Sequence, residues 1–296
     1  MDMEEVYKYR EEHPMDYIKV LEILNKYSKE PNAFQIIYKV IKIHVPDIIY
    51  KYYSLNNDVE LNSMKLDTLF NKEVYLSFSE DFNDPFDNKS FYYDIDLIQK
   101  YKFGFLFDEE FIDEHIKASR FASFSASGYG NLPMWAHYSN NHQGFCVSYS
   151  TTFKDNPELS PQIFPVQYVE GRVDITKHLI RFLEDMEVDF NNAEKGGNSE
   201  IVLSNLMVVW IRLLMGYIKE KRWEYEKEFR VQKPTNTSNP NKMKANPNAI
   251  YIGQKCKDEH KMKLINIAFQ LNIPIYQMEM NAKSKDYELV AKQISI

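Results

Sequence analysis

Glycine is scarce in this chain: 9 residues in 296, against a usual share of about 7%. Neither G-x-G-x-x-G nor G-x-x-x-x-G-K-[ST] occurs anywhere in it. A Rossmann dinucleotide site and a P-loop need those glycines for tight turns and close backbone approach to phosphate, so both are excluded. The absence of G-x-S-x-G removes the nucleophile elbow in the same way. Cysteine is scarcer still. Cys146 and Cys256 form neither a disulfide framework nor a C-x-x-C zinc or redox pair, and a reducing, cytoplasmic setting fits them. A broad positive field is also missing. Lys and Arg number 36 against 43 Asp and Glu, a net charge of −7, which argues against a general binder of nucleic acid or anionic membrane. The N-terminus, Met-Asp-Met-Glu-Glu, is acidic and lacks an apolar core, so no signal peptide is expected. The longest apolar run, Ile201 to Ile218, carries Asn205 and Arg212. A central Arg costs about 2.5–3.5 kcal/mol on insertion, so this run is expected as a core helix and no membrane partner is expected.

What the chain does hold is enough apolar residue for a sizeable core, 44% hydrophobic and 15% aromatic. Residues 1–46 are expected to be a helical extension, packed on the core domain or offered to a partner protein. Pro14 interrupts early. Ile18, Leu21, Leu24 and Tyr27 recur at helical spacing within Met15 to Lys29. A further helix is expected after Pro31, with Asn32 as N-cap, Gln35 in the capping-box position, and a stripe of Phe34, Ile37, Tyr38 and Ile41. Pro46 ends it.

Residues 47–296 are expected to be one α+β domain around a mostly antiparallel sheet with helical insertions. Strands are expected at Ile48 to Ser54, Val74 to Ser79, Phe121 to Ser127, Gly144 to Tyr149, Ile163 to Val169, Tyr225 to Gln232, Ala249 to Ile252, Ile275 to Met280 and Tyr287 to Ile294. Helices are expected at Asp108 to Ser119, Leu132 to Ser139, Ile175 to Phe190, Ser199 to Glu220 and Asp258 to Leu271.

Four segments concentrate chemistry. In Lys-Arg-Trp-Glu-Tyr-Glu-Lys-Glu-Phe-Arg-Val, a strand would place Tyr225, Phe229 and Val231 on one face and Glu226, Glu228 and Arg230 on the other, in steps of about 7 Å. In a cleft this is an acid pair with a built-in cation; on a solvated face it is an ordinary charge ladder. Met134 to Cys146 gathers Trp135, His137, Tyr138, Asn141 and His142 beside Gly144. The histidines are five apart, which does not match a helical metal pair, whereas Trp and Tyr suit stacking on a ring-bearing ligand. Asn83-Asp84-Pro85-Phe86-Asp87 has Asx-turn chemistry. Tyr50-Lys51-Tyr52-Tyr53-Ser54 places a cation among phenols.

In chain order, Tyr-Lys-Tyr-Tyr-Ser, Phe-Asn-Asp-Pro-Phe-Asp, Phe-Ala-Ser-Phe-Ser, the Met134 to Cys146 segment and Trp-Glu-Tyr-Glu-Lys-Glu-Phe-Arg resemble the bacterial family called domain of unknown function 2971, from about Ile48 onward. That family's layout looks like the ADP-ribosyltransferase-like fold, where a first-strand His or Arg holds the nicotinamide ribose and a late-strand Glu carries catalysis. Here Lys51 stands where the His would be; a Lys can donate to a ribose hydroxyl but cannot reproduce a neutral imidazole. The resemblance implies an NAD-using ADP-ribosyltransferase-like or NAD-glycohydrolase-like effector in bacterial anti-phage defence or toxin systems. It would act on a small nucleotide ligand, with a protein or nucleic acid as acceptor. It implies Glu228 as the catalytic carboxylate and Glu226 as an auxiliary one. Lys51, Tyr53, Ser54, Asn83, Asp84, Trp135, His137, Tyr138 and Arg230 would bind substrate. Lys51, Trp135, His137, Glu226, Glu228 and Arg230 are expected to share one cleft. Two other readings remain open: a non-catalytic ligand-sensing or interaction module of a defence system, and a metal-dependent nuclease using His137, His142, Asp84 and Asp87.

Overall fold

A computed structural model describes residues 3–27, 32–197 and 200–295. Lys29, Pro31 and Ser199 lie outside the described residues, as does the Phe34 side chain. The protein is α+β, with a large, mostly antiparallel sheet. By contacts the chain divides into two compact units, each built from three separate stretches.

The first unit comprises Met1–His44, Phe78–Arg120 and Phe164–Trp223. Its helices of eight residues or more are α1 (Met3–Glu12), α2 (Tyr17–Lys26) and α3 (Ala33–Ile43), then the longer α4 (Thr176–Lys195) and the short α5 (Met207–Leu214). Of the spacing read in the sequence, Leu21 and Leu24 lie in the buried stripe of α2, which Tyr17 and Val20 complete, whereas Ile18 is half-buried and Tyr27, at the C-cap, is exposed. Asp16 caps that helix by accepting the Lys19 N–H at 3.0 Å. Asn32 makes no side-chain capping bond to α3, contrary to expectation; its backbone is already in the right-handed helical region, where the Ncap side chain is poorly aimed. The expected helix to Glu220 is also shorter. α5 ends at Leu214, a 3₁₀ turn follows over Met215–Tyr217, and Ile218–Glu220 is a strand paired in parallel with Gln167–Val169. Among the described residues, no helix is long and apolar enough to cross a membrane.

The second unit comprises Val45–Ser77, Phe121–Ile163 and Glu224–Ile296 and is organised by the sheet. In chain order the strands are β1 (Ile48–Tyr53), β2 (Ser119–Ser125), β3 (Phe145–Ser150), β4 (Ile163–Pro165), β5 (Glu228–Pro234), β6 (Pro247–Ile252), β7 (Ile275–Met280) and β8 (Leu289–Gln293). Their spatial order is β8-β7-β6-β3-β1-β2-β5-β4. The β6–β7 pair is parallel, with helix Asp258–Leu271 as its crossover, as a parallel connection requires. Helix Val59–Phe70 was not foreseen; Asp58 caps it by accepting the Leu61 N–H.

Period-two alternation sorts side chains to the two faces of this sheet. Ile49, Tyr53, Phe124, Val147, Tyr149, Phe229 and Val231 enter one buried cluster. Tyr52, Cys146, Ala249, Tyr251 and Met278 enter another, with Trp135. Gly144 is required where the chain enters β3, since a Cβ there would collide with the Tyr53 carbonyl oxygen.

Candidate functional site

The Lys221 to Val231 segment is not one strand. Lys221–Glu226 is a 3₁₀ turn, Lys227 adopts φ +44°, and β5 begins at Glu228. The left-handed residue re-aims the chain and removes Glu226 from the row that Glu228 and Arg230 share. Two contacts fix the kink: Ala126 N–H donates to the Lys227 carbonyl at 2.9 Å, and Ser125 Oγ donates to the Glu226 carbonyl. The expected alternation holds from Glu228 onward. Glu228 and Arg230 form a buried two-pronged ion pair, with Nε to Oε1 at 2.7 Å and Nη2 to Oε2 at 2.9 Å. Glu228 is 5% exposed and Arg230 wholly buried. Such planar fork-to-fork pairing is among the stronger hydrogen-bonded geometries.

Glu226 is equally buried, and its carboxylate accepts the Tyr138 hydroxyl. Tyr138 is delivered by helix Leu132–Tyr138, which Asn131 caps by accepting the Met134 N–H at 3.2 Å, with Pro133 in the first turn. The same Asn131 donates from Nδ2 to the Tyr225 carbonyl at 3.1 Å, tying this helix to the 3₁₀ turn. Burial first, and then the negative charge of Glu226, push the Tyr138 phenol far above its ordinary pKa. It therefore remains a hydrogen-bond donor at any physiological pH. Next to it, exposed His137 places Nδ1 3.0 Å from the Tyr225 hydroxyl. Trp135 is fully buried beneath them and donates its indole N–H to the Tyr129 carbonyl at 2.7 Å. His142 stacks on Trp135 at 6.0 Å, and burial, then Lys255, lowers its pKa. It closes a run of three residues, Asn140 to His142, that are all left-handed.

Lys51 is placed differently from expectation. Its ammonium donates to the Ser123 carbonyl at 3.0 Å and sits 5.7 Å and 5.4 Å from the Tyr53 and Phe124 ring centroids. Burial lowers its pKa to about 8, and the nearby Glu228 carboxylate opposes that shift. Tyr52, its neighbour in β1, meets Trp135 edge-on at 5.2 Å. Lys51 and Trp135 therefore belong to opposite faces of the sheet and do not share one cleft; alternation along a single strand forbids it.

The remaining expected residues divide as follows. Tyr53 is a core residue, stacked on Phe145 at 4.7 Å with its hydroxyl 3.2 Å from that of Tyr149. Ser54 receives Lys65 on both its carbonyl and its hydroxyl. Asn83 and Asp84 belong to the first unit, where Asp84 makes the expected Asx turn by accepting the Phe86 N–H at 2.9 Å. His137 and His142 fall in the second unit, and Asp84 and Asp87 in the first. Among the described residues, no group of three or more His, Cys, Asp or Glu is placed to hold a metal ion. The structure adds Ser123, Ser125, Tyr225 and Asn131 to the constellation. The alternating serines of Phe-Ala-Ser-Phe-Ser were a usable signal for the first two; Asn131 acts through a helix cap whose second partner lies far along the chain.

Residues 134–231 match the model of a family described as Protein of unknown function (DUF2971). The matched stretch runs from Met134 to Val231 and so contains Trp135, His137, Tyr138, Glu226, Glu228 and Arg230, but not Lys51. No curated protein and no solved structure is significantly similar to the chain.

Proposed function

We propose that the second unit binds NAD and cleaves its nicotinamide–ribose bond, as an ADP-ribosyltransferase-like or NAD-glycohydrolase-like enzyme. The observation that carries this reading is the chain of contacts across three neighbouring strands. Lys51 on β1 reaches Ser123 on β2, Ser125 on β2 reaches Glu226, and Glu228 opens β5. The late carboxylates Glu226 and Glu228, with Arg230, support the reading; Lys51 meets the serines of β2 only at the Ser123 main-chain carbonyl, from the face of the sheet that Phe124, Phe229 and Val231 share. In the reaction, the C1′–N bond to nicotinamide breaks and its electron pair leaves with the base. Water or an acceptor hydroxyl or amine forms the new bond to C1′ and gives up a proton. Carbocation character builds on the ribose meanwhile, and a fixed carboxylate stabilises it. Glu228, oriented by Arg230, is assigned that part. Glu226, held by Tyr138, is the auxiliary acceptor for a ribose hydroxyl. Exposed His137 and half-buried Tyr225 offer a polar-aromatic edge for the base.

A second reading is supported by one observation: both Glu228 oxygens are already engaged by Arg230 in a buried pair. In that case the unit senses a nucleotide without turning it over, and signals to a partner through residues 1–46. On α3, Ile36 is 63% and Val40 40% exposed, which supports such a partner. Nicotinamide release from NAD separates the two. The catalytic reading expects release by the wild-type chain and a loss of about 10²–10³-fold in Glu228→Gln, assayed well below that variant's melting temperature. NAD binding without any release supports the sensor reading.

A further inference from the structure

We propose that the outer edge of β8 is an interface for a second copy of this chain, paired antiparallel about a two-fold axis at Val290. The interface belongs to the second unit and does not depend on the nucleotide reading.

β8 ends the eight-stranded sheet, and among the described residues it pairs with β7 alone. Two bonds fix which of its backbone groups face inward. The Glu288 carbonyl accepts the Asn281 N–H at 3.0 Å, and the Ile294 N–H donates to the Ile275 carbonyl at 2.9 Å. In an antiparallel ladder the N–H and C=O of one residue point the same way, and those of the next residue point the other way. Val290 and Lys292 therefore face β7 as Glu288 and Ile294 do, while Leu289, Ala291 and Gln293 turn their N–H and C=O groups outward. Among the described residues no hydrogen bond meets those outward groups. Such an edge is a template for another strand, and native proteins blunt it with proline, a bulge or charge. β8, Leu-Val-Ala-Lys-Gln, carries no proline, and its register against β7 is unbroken. Its one charge is Lys292.

That charge, with Glu288 just before the strand, specifies the partner. Glu288, Val290 and Lys292 project to one face of the sheet, and Tyr287, Leu289, Ala291 and Gln293 to the other. Two copies paired antiparallel about Val290 set Leu289 against the partner's Ala291, so that their outward groups exchange N–H···O bonds. The same register sets Glu288 against the partner's Lys292 and, by symmetry, Lys292 against the partner's Glu288. Both side chains are exposed, and Lys292 has a long contact, 3.8 Å, to Glu279. Opposite charges directly across a strand pair stabilise it, and like charges destabilise it. A parallel copy in register would put each charge beside its own kind. Centring on Ala291 instead would put Lys292 against Val290 and lose both pairs. Pairing about Val290 also brings Tyr287, which is 96% exposed, against the partner's Gln293. The contact is isologous and closes on itself, as a two-fold dimer requires. One strand per copy makes a small contact, of the class that associates weakly and reversibly.

The test is sedimentation equilibrium of the full chain up to about 0.5 mM, where a weak contact becomes populated. The expected result is a reversible monomer–dimer equilibrium. Ala291→Pro removes an outward donor and leaves the β7 ladder intact, since an edge strand tolerates proline where its N–H faces away from the sheet; it should weaken association by about tenfold or more. Glu288→Lys and Lys292→Glu, each alone, bring like charges together twice and should each weaken association about tenfold. An equimolar mixture of these two variants should associate as wild type does, because opposite charges then meet at every paired position. A damaged fold cannot produce that rescue, so the mixture decides the matter if Ala291→Pro does not fold. The proposal is overturned if wild type stays monomeric over the whole range, if folded Ala291→Pro dimerises as wild type does, or if the mixture associates no better than its components.

Discussion

The buried Glu228–Arg230 pair makes a quantitative demand on stability. Glu228 is 5% exposed, Arg230 is wholly buried, and two short bonds join them. Glu228→Gln removes the charge and turns one acceptor into an amide that faces a guanidinium donor. Arg230→Met leaves a carboxylate buried without its fork. Breaking a buried pair in either way typically costs about 3–5 kcal/mol. At about 2–4 °C per kcal/mol for domains of this size, each single variant should melt roughly 10 °C below wild type. The double variant Glu228→Leu with Arg230→Met removes both charges and keeps the volume. Such replacements are often neutral or stabilising, so it should be more stable than either single variant. Urea unfolding followed by tryptophan fluorescence measures all four species, with Trp135 fully buried in the same unit. Single variants within about 1 kcal/mol of wild type, or a double variant whose loss equals the sum of the singles, would refute the reasoning.

Lys51→Met should stabilise the protein by about 1–3 kcal/mol at pH 7. The folded-state pKa of Lys51, about 8, lies below its unfolded value of about 10.4, so holding the charge costs stability at every pH below 8. That cost fades as pH rises from 8 to about 10.4, and the gap between wild type and variant should close over that window in unfolding titrations; a pH-independent gap contradicts the assignment. Tyr138→Phe deletes the hydroxyl that the buried Glu226 carboxylate accepts and should cost about 1.5–3 kcal/mol, the range for bonds to charged groups; a change below about 0.5 kcal/mol in chemical denaturation would mean that the phenol contributes nothing there.

Regular elements with one clear period were legible in the sequence. Helix Asp258–Leu271 and strand β7 fall where their patterns place them, because helical spacing and a short run bounded by Pro274 and a polar loop each mark a single element. The Lys221 to Val231 segment was half legible. From Glu228 the alternation is real, but the same period continued backward across Lys227, whose left-handed backbone has no mark in a one-dimensional pattern. Helix Val59–Phe70 escaped notice because its apolar stripe is narrow; Val59, Met64 and Phe70 are exposed. The site was legible as residue types, not as geometry. Lys51 and Trp135 stand in motifs of the same flavour, yet strand parity sends Lys51 toward Phe124 while Tyr52 turns to Trp135. The Tyr138–Glu226 and Asn131–Tyr225 contacts join positions 88 and 94 residues apart, and no local rule reports such pairs.

The most direct test of the nucleotide reading is calorimetric titration of the full chain with NAD and with ADP-ribose, repeated on Glu226→Gln and His137→Ala. The account predicts saturable binding to wild type, weakened by about tenfold or more in Glu226→Gln, where a charge-assisted acceptor for ribose is lost, and to a smaller degree in His137→Ala, with the unliganded His137→Ala melting as wild type does. Wild-type protein that binds neither ligand, or binding indifferent to both substitutions, would contradict it.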